Sequence, residues 1–276
     1  MSLGASRLAC LVLIAMLTSC ADRPSGEMQN AEGTAGEMSI SEPVDADCML
    51  PEPREIFLEE DGVLQVWSFT LEDVHSRPVL PDDSGLLDYR AAIRADGADV
   101  RRPVSDALLA RTPAEAEISA NENYNIDLAF SGEVGSIDPI TCLDALLFAE
   151  QNARISQLDR PTEFLASVLR SDVPGAKEVI VVFGAGDEMF PPKSVYGFEI
   201  VDEYLARGWR FWYALHNHTL QENGGLLALG TPVPSTSDVQ LVRSLAQEKG
   251  LESVRVTNGF YTFNATVDEL SEFRAR

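Results

Sequence analysis

His216 and His218 stand one residue apart in "HNH" and are two of the three histidines in the chain. Imidazole nitrogens are common ligands of transition-metal ions. On an extended strand alternate side chains leave from one face, so His216 and His218 would project together with Asn217 opposite, and two nitrogens so placed can meet one cation. The segment that follows, "TLQENGGLLALGTPVP", is broken by glycines and ends at Ser235-Thr236-Ser237-Asp238. Ser235 has the position of a helix cap, with Asp238 three residues on, the spacing of a capping box. A helix start is also where a carboxylate can be held rigidly toward a neighbouring strand. These residues therefore describe either a metal centre or two strand-end histidines satisfied by hydrogen bonds beside an ordinary capped helix.

The elements that must position them can be read along the chain. "VLQVWSFTL" (63–71) and "EISANENYNIDLAF" (117–130) mix β-branched and aromatic residues with polar ones between turn-forming stretches, and both read as strands. Asp138-Pro139 can cap and begin a helix whose apolar positions Ile140, Leu143, Leu146, Leu147 and Ala149 recur at helical spacing as far as about Gln157. "TEFLASVLR" (162–170) and "KEVIVVFG" (177–184) are two short strands separated by a turn with Pro174 and Gly175, the second apolar enough to be buried. "GFEIVDEYLARG" has Phe198, Val201, Tyr204 and Leu205 on one helical face and Gly208 as its stop. "WRFWYALHNH" is a strand, and "VQLVRSLAQEKG" a helix closed by Gly250.

This order of helix, two strands, helix, strand ending in His-x-His, loop, then Ser-x-x-Asp opening a helix resembles the core of the JAMM zinc metalloproteases, also called JAB or MPN+. "HNH" followed by "PSTSD" is similar to its RadC-like branch. The resemblance spans roughly residues 138–250. It implies an α+β fold in which a mixed sheet is flanked by helices, here with a β-rich N-terminal elaboration. It also implies that His216, His218 and Asp238 are zinc ligands, that Ser235 supports the oxyanion, and that an upstream glutamate is the base. Glu163 follows the first helix and opens the first strand, as the family pattern requires. Glu178 opens the second strand and is the other candidate, although choosing it leaves only one strand before the next helix. Two departures stand out: the stretch between His218 and Ser235 is longer than the family's, and Thr219 replaces the usual proline.

Such a set is sufficient for hydrolysis. Two imidazoles and a carboxylate leave a fourth tetrahedral position on zinc for water. Glu163 would accept the proton and hand it to the leaving amine, and Ser235 would steady the oxyanion. The expected substrates are proteins or peptides, peptidoglycan peptides included, cleaved at peptide or isopeptide amide bonds. The expectation of another class is a non-catalytic surface lipoprotein that uses the same scaffold to bind a protein or envelope polymer, since fold does not guarantee activity.

The N-terminus sets the compartment. "MSLGASRLACLVLIAMLTSC" has Arg7 followed by an apolar run to Leu17, the pattern of a secretory signal peptide. Its end, Leu17-Thr18-Ser19-Cys20, resembles a bacterial lipobox, which implies cleavage before Cys20, lipidation of its thiol, and a lipid-anchored protein of the cell envelope. The expected organisation is a signal at 1–19, a disordered Gly-, Ser-, Glu- and Pro-rich tether at 20–47, a β-rich region at 48–130 and a metalloprotease-like domain at 131–276. With 21 basic against 44 acidic residues and a net charge of −23, the surface repels phosphate backbones, so nucleic acid is not an expected partner. Cys48 and Cys142 would remain in an oxidising setting, either joined as a disulfide that pins the start of the fold to a later helix or buried as free thiols.

Overall fold

The computed structural model describes residues 51–59, 62–71, 85–95, 100, 113–218 and 230–275. The signal, the tether, Cys20 and Cys48 lie outside them. β1 (Glu55–Glu59) and β2 (Gly62–Thr70) come first, then helices α1 (Leu86–Ala95) and α2 (Pro113–Ser131). β3 (Ser136–Pro139), α3 (Cys142–Arg154), β4 (Phe164–Ser171) and β5 (Glu178–Gly186) follow. A short 3-10 turn (Lys193–Tyr196) leads to α4 (Phe198–Ala206), β6 (Trp209–Asn217), α5 (Thr236–Lys249), β7 (Ser253–Thr257) and β8 (Tyr261–Thr266).

The eight strands of the described residues form one sheet in the order β1-β2-β5-β4-β6-β7-β8-β3. Every pairing is antiparallel except β6 with β7, which is parallel. The fold is thus mixed α/β. β5 can occupy the interior of the sheet because everything in it after Glu178 is buried, as its unbroken apolar run requires. One face packs Trp67, Phe164, Phe183 and Tyr213 against Tyr89 of α1 and Leu143 and Leu147 of α3. The other packs Leu64, Val182, Leu165 and Val256 with Val201 of α4 and Val239 and Val242 of α5. None of the described helices is long and apolar enough to cross a membrane.

The front half departs from its expected β-rich character. Residues 117–130 belong to helix α2 rather than to a strand. Tyr124, Ile126, Leu128 and Phe130 alternate along the sequence as in a strand, but the segment is fixed by polar bonds to distant residues. Asn125 exchanges two hydrogen bonds with the Arg274 backbone at 2.8 and 2.9 Å, and Glu122 accepts from the Thr236 backbone and hydroxyl. β1 and β2 meanwhile extend the main sheet, so this region adds to one layer. The start of α3 is also shifted. Asp138-Pro139 does not cap it but lies in β3, paired with Thr262 and Tyr261 of β8. Pro139 lacks an N–H, and at an outer strand no second neighbour requires one. Thr141 caps α3 instead, its N–H bonding Asp144. Cys142 at the helix start is disulfide-bonded.

Candidate metal centre

β6 delivers the histidines as period-two geometry demands. His216 pairs with Leu165 on one side and Val256 on the other, and the His218 N–H extends the parallel ladder by bonding Thr257 O at 2.8 Å. Their Nε2 atoms come within 3.2 Å of each other. His218 Nδ1 faces Thr231 O at 2.9 Å. A proton on Nδ1, donated to that carbonyl, leaves the Nε2 lone pair directed inward, the usual way a second partner sets a ligand tautomer.

Asp238 joins them from the first turn of α5. Its Oδ2 lies 3.2 Å from His218 Nε2 and 3.3 Å from His216 Nε2, and the same oxygen accepts the Ser235 N–H at 2.7 Å. Ser235 Oγ in turn accepts the Asp238 N–H at 3.2 Å. The capping box and the metal-type cluster are therefore one structure, the cap holding the carboxylate still. For ligand bonds of 2.0–2.1 Å, a tetrahedral centre has edges of about 3.3–3.4 Å. The observed separations of 3.2 to 3.3 Å fit that requirement. Among the described residues this is the one His/Cys/Asp/Glu group of its kind, and it could hold a metal ion. The long stretch after His218 does not prevent Asp238 from reaching it.

The electrostatics point the same way. Burial works against a charged His218, yet the hydrogen bond and charge of Asp238, with help from Glu163 and the Thr231 carbonyl, raise its pKa to about 9. Asp238 is held well below the usual carboxylate range because the two imidazoles outweigh its burial. The fields that keep a proton on His218 equally favour a cation, which would displace that proton on binding.

Of the two candidate bases, only Glu163 reaches this cluster. Burial raises its pKa, partly opposed by His218 and His216 and reinforced by Asp238, and no hydrogen bond engages its carboxylate among the described residues. Glu178 lies at the opposite end of β5, about 25 Å away at roughly 3.3 Å per residue. There it pairs with Arg54 and accepts from Ser68 Oγ at 2.8 Å.

The segment bearing Glu163 is clamped by residues that the sequence did not single out for this role. Asn217, fully buried on the face opposite the histidines, accepts the Phe164 N–H at 2.7 Å and donates to Thr162 O at 3.0 Å, thereby gripping the chain on both sides of Glu163. Thr162 Oγ1 accepts from Gln151 at 2.5 Å and Gln157 at 3.0 Å, and the Glu163 N–H bonds Met189 O at 2.8 Å. The only signal in the sequence was a polar residue between two strand-end histidines. Removing the amide strands a buried donor and a buried acceptor at about 1–3 kcal/mol each. Asn217→Ala is accordingly expected to lower the melting temperature by several degrees in thermal denaturation and to loosen Glu163; an unchanged melting curve would refute the clamp.

No family model matches the chain, and neither does any curated protein or solved structure.

Proposed function

We propose that this chain is an exported, zinc-dependent hydrolase of peptide or isopeptide amide bonds, built on a JAMM-type core. The observation that carries the reading is the convergence of His216, His218 and Asp238 at tetrahedral-edge spacing beside the carboxylate of Glu163, which makes no hydrogen bond among the described residues. The order α3, β4, β5, α4, β6, α5 supports the JAMM comparison, as does the place of each site residue at the end or start of its element.

A zinc ion held by these three side chains would supply Lewis acidity, acidifying a water and polarising a carbonyl. Glu163, whose raised pKa suits an acceptor that must later release its proton, takes a proton from water in the cleft and returns it to the leaving nitrogen. Ser235 spends one lone pair on the helix cap and retains its hydroxyl hydrogen for the carbonyl oxygen. Asp238, locked by the cap, and Asn217, bracing Glu163, keep base and ligands in fixed register.

The test is a panel of peptides, isopeptide-linked peptides and cross-linked peptidoglycan fragments incubated with the purified chain. Cleavage that chelation abolishes and zinc restores is expected. Bound zinc with no cleavage of any fragment would favour a binding module on the same scaffold.

The envelope location rests on the lipobox-like Leu17-Thr18-Ser19-Cys20. Acyl chains contribute about 0.8 kcal/mol per buried methylene. Cys20→Ser is expected to move the protein from the membrane pellet to the soluble fraction, and a serine variant retained in the pellet would refute the lipid anchor.

A further inference from the structure

The segment between β5 and α4 forms a wall beside the site. Leu64, Gly184, Leu165, His216 and Val256 make one row across the sheet through consecutive pairings, so their side-chain positions share the face that carries the histidines. At Gly184 this row has no side chain, and the Val195 carbonyl takes the space: a Cβ there would lie 1.6 Å from Val195 O. Gly186 repeats the arrangement, where a Cβ would come 2.7 Å from Pro192 Cδ and 2.9 Å from Pro191 Cα. Two glycines on the same face of β5 thus let residues 190–195 lie flat on the strand. The start of the wall is tied to the Glu163 backbone through Met189 O.

Tyr196 follows this wall at the end of the 3-10 turn Lys193–Tyr196. Val195 sits over Gly184, two strands from His216, or about 10 Å at the usual strand spacing, and a tyrosine side chain spans most of that distance. The ring of Tyr196 packs against the apolar cluster containing Leu64, Leu165 and Val182 and meets Phe198 edge-on at 5.4 Å. The residue is only half-buried, and its hydroxyl makes no hydrogen bond among the described residues. A ring fixed by packing whose hydroxyl no described residue engages is an oriented donor available to a ligand.

We propose that the Tyr196 hydroxyl donates a hydrogen bond to the carbonyl oxygen of the amide under attack, sharing with Ser235 the task of holding that oxygen as it gains negative charge. This inference rests on the hydrolase reading above. Its electrostatic setting agrees: burial, then the charges of Asp238 and Glu163, raise the pKa of the phenol, and a phenol is in any case a protonated donor near neutral pH. The division of labour is complementary. Glu163 is the acceptor that moves the proton from water to the leaving nitrogen, whereas Tyr196 exchanges no proton and offers only its O–H to the oxygen.

Tyr196→Phe retains the ring contacts and removes the donor. In the full-length, zinc-loaded protein it is expected to leave zinc content and melting temperature unchanged, to lower kcat about a hundredfold with little change in KM, and to weaken binding of acetohydroxamate, followed by titration calorimetry, about tenfold. A merely structural tyrosine would move melting temperature or zinc content but would not split kcat from KM. If parent and Tyr196→Phe proteins both hold zinc, bind acetohydroxamate equally and turn over equally, the Tyr196 role is overturned while the hydrolase reading stands. A parent that binds no zinc overturns both.

Discussion

Glu163→Gln should hold its zinc and lose hydrolysis by a factor of about 10² to 10⁴, the usual contribution of a positioned general acid–base. The carboxamide is nearly isosteric, and the clamp on either side of Glu163 is made by the backbone of Thr162 and Phe164, so position survives while proton acceptance does not. Because the interaction lost belongs to the transition state, kcat and kcat/KM should fall together. Glu178→Gln is the control. Its partners Arg54 and Ser68 lie at the surface, where an ion pair contributes no more than about 1 kcal/mol, and its activity should match that of the parent. Steady-state kinetics with zinc quantified on the same samples decides the matter: an active Glu163→Gln beside a dead Glu178→Gln would transfer the base to the far end of β5.

His218→Ala and Asp238→Asn should each empty the metal site, since three protein ligands are the usual complement of a catalytic zinc. Asp238→Asn is the more discriminating variant. Its amide oxygen can still accept the Ser235 N–H, so the start of α5 keeps its cap, worth about 1 kcal/mol, while the charge that opposes the two imidazoles is gone. Zinc stoichiometry after dialysis should fall from about one to near zero in both variants. Zinc added at about 1,000 times its Kd stabilises a one-site protein by about 4 kcal/mol, so a large rise in melting temperature is expected for the stripped parent and none for either variant. An Asp238→Asn protein that keeps one zinc through dialysis would overturn the ligand set.

Much of the centre was legible because its signals are local. Alternation along a strand is enough to put His216 and His218 on one side, and the Ser235-x-x-Asp238 spacing is enough to describe a capping box, which the structure contains. The strands at β4, β5 and β6 were legible as short apolar runs, which the structure buries along most of their length, and the helices α4 and α5 by apolar residues at helical spacing, with Gly250 supplying the left-handed residue at the end of α5. Other features had no local signature. The alternation from Tyr124 to Phe130 satisfied a strand pattern, whereas the segment is a helix that buries Ile126 and Ala129 in the core and docks Asn125 on Arg274 and Glu122 on Thr236, tertiary contacts outweighing a local pattern. Asp138-Pro139 had the composition of a helix start but found a partner strand in β8.

The sequence by itself determined which side chains could bind a cation and, through the spacing of two and of three residues, that each pair would share a strand face or a helix cap. It could not determine that the strand and the cap would meet, nor which glutamate would join them. Those relations depend on the pairing of β4 with β6, which carries Glu163 to the histidines, and on the antiparallel run of β5, which carries Glu178 to the far end of the sheet. They depend as well on Asn217, whose two hydrogen bonds reach across to β4, and on the bare faces of Gly184 and Gly186, over which the wall bearing Tyr196 can lie. Periodicity is a property of neighbours along the chain, whereas register and close approach belong to segments far apart in it, and only the packed sheet brings those segments together.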